Sequence, residues 1–229
     1  MGSITYKHVH RHLLAIDCII FGFDGEDLKG LFVKRKLEPQ KGNWSLMGGF
    51  VSGIESVDAA AERVLYELTG LGNIYMEQLH CYGALDRDIE ARVVSIAYFA
   101  LINIADYSKE LLEEHHATWV SLKKLPDLIF DHRQMVEDAK EKLREKVATH
   151  PVGFALLPPK FTLKQLQALY EAIYEMPLDK RNFSRKIFSM NILQKLEEKE
   201  KASSRKGSFY FIFDEAQYKL LEKEGLKFI

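Results

Sequence analysis

The hydrophobic period changes several times along the first two thirds of the chain. LLAIDCIIFGF (13–23) is nearly continuous in apolar residues, broken by Asp17, and predicts a buried strand. It is too short for the roughly 18 apolar residues of a membrane span. After the turn DGEDLKG, the segment GLFVKRKL (30–37) alternates, with Leu31, Val33 and Arg35 opposite Phe32, Lys34 and Lys36, as a second strand would. WSLMGGFV predicts a short strand ending in glycines. Over 56–69 the spacing becomes helical, with Val57, Ala60, Ala61, Val64, Leu65 and Leu68 on one stripe. GNIYMEQLHCYGAL (72–85) and ARVVSIAYFALINI (91–104) are rich in β-branched and aromatic residues and predict two long strands. HATWV predicts a short strand and 132–150 an amphipathic helix. The pattern is that of a mixed α/β domain with helices packed on a sheet.

A second unit begins after 150–159, where Pro151, Pro158 and Pro159 stiffen the chain. Phe154, Leu156 and Leu157 give that linker an apolar side with which to pack. Thr162 followed by Gln165 is a capping-box pattern. Leu163, Leu166, Leu169, Tyr170 and Ile173 define the buried face of the helix it starts, and Met176-Pro177 ends it. Asp179 is placed to cap a second helix with Phe183, Ile187 and Met190 inward. Its outer face carries Lys180, Arg181, Asn182, Ser184, Arg185 and Lys186. MNILQKLEEKEK and GSFYFIFDEA predict a hairpin with Arg205 and Lys206 at its tip. Two helices joined by a short turn, the second basic, and then a hairpin form a winged helix-turn-helix pattern. Lys and Arg neutralise DNA phosphates, while Arg and Asn make bidentate contacts to base edges.

Composition narrows the picture. With 47% hydrophobic and 28% charged residues the chain has an ordinary globular composition. Its start, MGSITYKHVHRH, has no secretory pattern and fails as a myristoylation signal because Tyr6 stands where Ser or Thr is needed. Cys18 and Cys81 lack paired spacing and read as reduced core thiols, so a cytoplasmic location is expected. The eight histidines show no metal-ligand spacing. Charge is uneven: residues 1–150 carry 18 Lys and Arg against 23 Asp and Glu, whereas residues 151–229 carry 14 against 10. The acidic front and basic back suggest two domains with different partners.

The stretch GGFVSGIESVDAAAERVLYELTGL (48–71) resembles the Nudix box, G-x5-E-x7-R-E-U-x-E-E-x-G-U, in which U is aliphatic. Gly49, Glu55, Arg63, Leu65, Glu67, Gly70 and Leu71 fall in register. The resemblance implies a Nudix α/β/α sandwich over roughly residues 10–148. In that family three helix carboxylates, at i, i+3 and i+4, share one face and hold divalent cations against a diphosphate. Here those positions are Val64, Glu67 and Leu68, so one carboxylate of three remains. Glu62 does not substitute, because it lies about 140° from Glu67 around a helix. Glu90, Glu113 and Glu114 remain as carboxylates that loops would have to supply. The reading is that the shape of the box is kept and its metal site lost, with no cofactor and no metal expected.

A degenerate Nudix domain joined to a winged helix-turn-helix resembles the Nudix-related transcriptional regulators. ALDRD…ARVVSIAYFAL and GFALLPPKFTLKQLQALYEAIYEMPLDKRNFSRKI carry the resemblance over nearly the whole chain. It implies a sensing domain at 1–149, a linker at 150–159 and a DNA-binding domain at 160–229. It also implies homodimers on double-stranded operator DNA and a small-molecule effector. The family has an NrtR branch, responsive to ADP-ribose, and a sugar-responsive AraR branch. IDCIIFGF and NWSLMGGFV look closer to AraR, so the expected effector is a pentose such as L-arabinose, with ADP-ribose as the alternative. Candidate effector residues are Trp44, Asp86, Arg87, Asp88 and Arg92, with Tyr82 as a second aromatic wall. Arg87 and Arg92 suit phosphate, Asp86 and Asp88 sugar hydroxyls. An active Nudix hydrolase with an accessory C-terminal domain is the competing reading.

Overall fold

The computed structural model describes residues 9–70, 72, 74–106, 114, 116–201 and 207–224, without the side chain of Leu68. The strand β1 (Leu13–Phe23) organises the first domain. Along its whole length it pairs in parallel with β6 (Val93–Asn103), from Leu13 opposite Val93 to Phe23 opposite Asn103. Its other edge is shared by two antiparallel partners. β2 (Leu28–Lys34) takes the C-terminal half of β1, and β4 (Met47–Phe50) takes Ala15–Cys18. β5 (Tyr75–Tyr82) flanks β6, while β3 (Trp44–Ser45) and β7 (Ala117–Ser121) flank β2.

Successive side chains of β1 and β6 point to opposite faces, so each strand supplies two cores. Ile16, Cys18 and Ile20, with Tyr98, Ala100 and Ile102, meet Ala60, Ala61, Val64 and Leu65 of helix α1 (Val57–Thr69). Ile19, Phe21 and Phe23, with Ala97, Phe99 and Leu101, meet Met135, Val136, Ala139, Leu143 and Val147 of helix α2 (His132–Thr149). Two helices on the two faces of one sheet make the expected α/β/α sandwich. The strict alternation expected for 30–37 fails, because β2 ends at Lys34 and both Leu31 and Phe32 are fully buried. β2 is an interior strand between β1 and β7 with both faces covered, so period two does not mark it.

The core under α2 runs on into the second domain. Pro151–Leu156 form a 3-10 turn, and Leu156 and Leu157 join Phe161, Leu166, Leu169, Tyr170, Ile173, Ile187 and Ile192 in the same cluster. Helix α3 (Leu163–Tyr174) starts at a complete capping box: Gln165 N donates to Thr162 Oγ1 (3.2 Å) and Thr162 N to Gln165 Oε1 (2.8 Å). Helix α4 (Lys180–Ser189) is capped by Asp179 Oδ1, which accepts from Asn182 N at 2.8 Å. β8 (Phe161–Thr162), β10 (Ser208–Phe213) and β9 (Leu193–Glu200) form the sheet of the wing, in the order 8-10-9. The strand expected to run through GSFYFIFDEA stops at Phe213. Asp214 instead caps a further helix, α5 (Glu215–Lys223), which the sequence reading did not foresee. No helix among the described residues is long and apolar enough to cross a membrane.

Candidate effector pocket and nucleic-acid interface

The box motif folds as its glycines, Glu55 and Arg63 require. Ser56 caps α1 through Ala59 N, and Gly70 closes it with φ +68°. Arg63 is the centre of a staple. Its Nη2 and Nε donate to the two oxygens of Glu55 at 2.7 and 2.9 Å, and Nη2 also reaches Phe50 O at 3.2 Å. Glu55 accepts from Ser52 N as well, and these donors, Arg63 foremost, hold its carboxyl down at about 2. Glu67 is mostly exposed and pairs with Arg63 Nη1 at 3.3 Å. Val64 is buried, its Cγ2 3.1 Å from where a Cβ on Gly49 would stand. A divalent cation does not fit these residues: two of three ligand positions are aliphatic, and one exposed carboxylate beside the Arg63 guanidinium remains. Among the described residues no group of three or more His, Cys, Asp or Glu side chains is arranged to hold a metal ion. Glu113 lies outside the described residues.

Beside this staple lies a pocket of about 310 Å³, walled by β1 at Ala15–Asp17, Val33–Leu37, Ser45–Phe50, Arg87, Asp88, Phe130 and His132. Its floor is a buried ionic network. Asp17 Oδ2 accepts from Ser95 Oγ at 2.6 Å and faces Arg87 Nη2 at 3.4 Å. Arg87 Nε and Nη2 grip the Asp131 carboxylate at 2.9 and 2.8 Å. His132 Nδ1 accepts from Leu46 N at 3.1 Å, which places the proton of the neutral ring on Nε2, 3.6 Å from Asp17 Oδ1. Burial pushes the His132 pKa below its ordinary value despite the two carboxylates nearby. Gly48 closes over this network: a Cβ there would lie 2.5 Å from Asp17 Oδ1 and 2.7 Å from Ile16 O. The rim, by contrast, carries Lys34, Arg35 and Lys36. The floor carries one guanidinium against two carboxylates, so it is the cationic rim of Lys34, Arg35 and Lys36, with the hydrogen-bonding edges, that suits an anionic ligand with a polar body.

The candidate effector residues are redistributed by the fold. Arg87 and Asp88 line the pocket, but Arg87 is buried and bidentate to Asp131, so it braces the floor and is not available to a phosphate. Asp86 is exposed and Arg92 Nη1 donates to Ala84 O at 2.9 Å; neither lines the pocket. Trp44 packs beside the core, with Lys34 Nζ 3.9 Å above its ring. Tyr82 is buried and its hydroxyl donates to Asp138 Oδ2 at 2.6 Å, a structural bond that ties β5 to α2. The sequence reading missed Asp17, Lys34–Lys36, Phe130 and His132. The basic run at the end of GLFVKRKL was the available signal. Of the two thiols expected in the core, Cys18 is buried and pushed up to about 12, but Cys81, on the edge strand β5, is exposed.

In the second domain Phe183 and Ile187 seat α4 on Tyr170 and its neighbours, with Phe183 5.6 Å from the Tyr170 ring. That anchoring leaves Lys180, Arg181, Asn182, Arg185 and Lys186 exposed and Ser184 half-buried. Arg185 Nη2 donates to Asn182 Oδ1 at 2.6 Å, one helical turn apart, so the two face outward as a pair. Arg205 and Lys206 lie outside the described residues.

The two domains are joined by α2. Its first turn belongs to the pocket through His132, with Asp131 immediately before it. Farther along, Lys140 Nζ and Arg144 Nη2 hold the two oxygens of Glu175 at 3.0 and 2.7 Å, and Arg144 Nε donates to Ile173 O at 2.9 Å. Glu175 ends α3 with φ +55° and opens the turn into α4.

Comparisons with known proteins agree with this two-part architecture. Residues 11–139 match the NUDIX domain and residues 153–213 the NrtR DNA-binding winged helix domain. The chain is 34% identical over 202 residues, 86% of its length and 81% of the relative's, to the "ADPR responsive transcriptional repressor NtrR" of Acinetobacter baylyi. It is 38% identical over 58% of its length, and 76% of the relative's, to an ADP-ribose pyrophosphatase of Methanocaldococcus jannaschii. Shewanella oneidensis NrtR, solved in complex with a 27mer DNA, superposes with TM-score 0.80 at 28% identity, covering 90% of this chain and 95% of that one. The NUDIX domain of that protein, solved in complex with ADP ribose, superposes with TM-score 0.51 at 32% identity, covering 61% of this chain and 94% of that one. Three of these four name ADP-ribose and none names a free sugar, so the expected pentose effector and the AraR likeness find no support. The chain belongs to the NrtR-type family, a Nudix domain followed by a DNA-binding winged helix domain.

Proposed function

We propose that this chain is a DNA-binding transcriptional regulator whose Nudix domain senses ADP-ribose and does not hydrolyse it. The observation that carries the reading is the path of α2. One helix of 18 residues, about 27 Å long, begins at the floor of an anion-suited pocket and grips the turn ahead of a basic helix. An effector that shifts α2 at its pocket end therefore shifts the seat of α4. The relatives supply the ligand: a repressor named for its response to ADP-ribose and a NUDIX domain solved with ADP ribose.

In this reading Arg181, Asn182 and Arg185 meet base edges in the major groove, and Lys180, Ser184 and Lys186 meet the phosphates that border it. Arg205 and Lys206, which fall between β9 and β10 in the sequence, are proposed as further phosphate contacts. A homodimer would present two copies of α4 to the halves of a palindromic operator. The pyrophosphatase relative favours hydrolysis as a second reading, and the buried Val64 argues against it.

The test is fluorescence anisotropy on a duplex selected from random sequence by the purified protein. Binding is expected to fall steeply with salt, to weaken when ADP-ribose is added, and to be abolished by Arg181→Ala with Arg185→Ala. Undiminished binding by that double variant would remove α4 from the interface. AMP release from ADP-ribose with Mg²⁺, lost in Glu67→Gln, would replace the sensor reading with an enzyme.

A further inference from the structure

Phe130 adopts a left-handed backbone conformation, φ +49°, which an aromatic side chain rarely takes. Outliers of this kind persist where the surroundings over-determine them, and they gather at ligand sites. The surroundings here are specific. Ile129, just before it, is buried and its N donates to Trp44 O at 3.0 Å. His132, two residues on, is buried and its N donates back to Ile129 O at 3.2 Å. The chain must turn sharply between β7 and α2, and Phe130 absorbs the turn. Its ring is half-buried and forms part of the pocket wall. The Phe130 and His132 rings form a T-shaped pair, with centroids 5.7 Å apart and planes at 73°.

A second residue completes the arrangement. The Arg35 guanidinium carbon lies 5.3 Å from the Phe130 centroid. Arg35 does not swing freely, because its Nε donates to Pro39 O at 2.7 Å and to Leu37 O at 3.1 Å. Two flat groups, one aromatic and one cationic, are thus each pinned by the backbone at the same wall. Lys34 and Lys36 stand beside them, and the Asp17 network lies at the floor. Hydroxyl groups and phosphates do not stack on an aromatic face, and a sugar ring meets one only through its C–H groups. A nucleobase does stack, because every base has a π face for aromatic rings and guanidinium planes.

We infer that Phe130, backed by Arg35, is the base-recognising wall of the effector pocket, stacking the planar ring of a nucleoside diphosphate whose phosphates lie toward Lys34 and Lys36. The inference rests on the nucleotide reading above and adds which residue separates such a ligand from a sugar phosphate.

Calorimetry of ADP-ribose, ADP and ribose 5-phosphate with wild type, Phe130→Leu and Phe130→Trp tests it. Phe130→Leu is expected to weaken ADP-ribose and ADP by about tenfold to a hundredfold and to leave ribose 5-phosphate within twofold. Phe130→Trp should keep the affinity for both nucleotides, and its added indole should be quenched by ADP-ribose and not by ribose 5-phosphate. Melting curves establish that both variants are folded. Unchanged nucleotide affinity in folded Phe130→Leu, or equal loss for all three ligands, would overturn the stacking role while leaving the ADP-ribose reading intact. A wild-type protein that binds ribose 5-phosphate and neither nucleotide would overturn both.

Discussion

Val64 packs against Gly49, its Cγ2 3.1 Å from the place a Cβ on that glycine would occupy. The contact joins α1 to β4 at the position where a Nudix metal site needs a carboxylate. Val64 is 2% exposed, so the site has been converted to core. Val64→Glu is therefore expected to destabilise the fold by roughly 3 kcal/mol, the cost of burying a carboxyl without a partner, and to give no turnover of ADP-ribose. Thermal melting with and without Mg²⁺ checks this. A variant with the wild-type melting temperature would show that room for a metal ligand had been retained.

The Arg87–Asp131 pair predicts a different kind of sensitivity. Arg87 is 7% exposed and is held by Asp131 and Asp17 together. Removing the guanidinium leaves two carboxylates facing each other around a buried hole. Arg87→Met should cost about 3 kcal/mol in urea unfolding. Asp131→Asn, which retains an acceptor and is nearer the surface, should cost less. Equal costs would mean that the network is not organised around Arg87.

His132 gives the pocket a pH dependence of defined sign. The unfolded ring titrates near 6.5, and burial lowers that value in the fold. Asp17 and Asp131 face it and pull its pKa up, while Arg87 and Arg35 push it down. Between the folded and unfolded values the unfolded chain binds the extra proton, so stability falls as the pH falls through that window. Melting temperatures measured from pH 7 to pH 5.5 should decline more steeply in wild type than in His132→Gln, whose amide does not titrate. Parallel profiles would exclude His132 as the cause.

The elements legible in the sequence were those whose signal is local. β1 and β6 announced themselves by long apolar runs, and both helices of the second domain by Thr162, Gln165 and Asp179, whose caps form as the spacing predicts. The box motif fixed α1 and its loop through Arg63 and Glu55. The pocket was less legible because its walls come from six separate stretches of chain. Arg87 reads as a phosphate ligand until Asp131, 44 residues away, is brought against it. Phe130 carries no periodic signal, since its role depends on a backbone angle. Tyr82 looked like a site residue because exposure cannot be read from a single aromatic in a strand.

Glu175 offers the most direct test of how the two domains communicate. Its carboxylate bridges Lys140 and Arg144 of α2, and its backbone forms the left-handed end of α3. The side chain is 40% exposed, so the bridge contributes little to stability. Its effect is on geometry: it fixes the turn before α4 to the helix that starts at the pocket. Glu175→Gln keeps the size of the side chain and tolerates the same backbone, but it weakens both charged contacts. The variant is expected to melt within a few degrees of wild type and to bind ADP-ribose and operator separately with affinities within about twofold. What should shrink is the coupling, the factor by which saturating ADP-ribose weakens operator binding, typically 5- to 150-fold in such systems. Anisotropy titrations at fixed salt, with and without ADP-ribose, measure that factor directly. An unchanged factor in Glu175→Gln would mean that the signal passes by another route, for which the core shared by Leu156, Leu157 and Tyr170 is the next candidate.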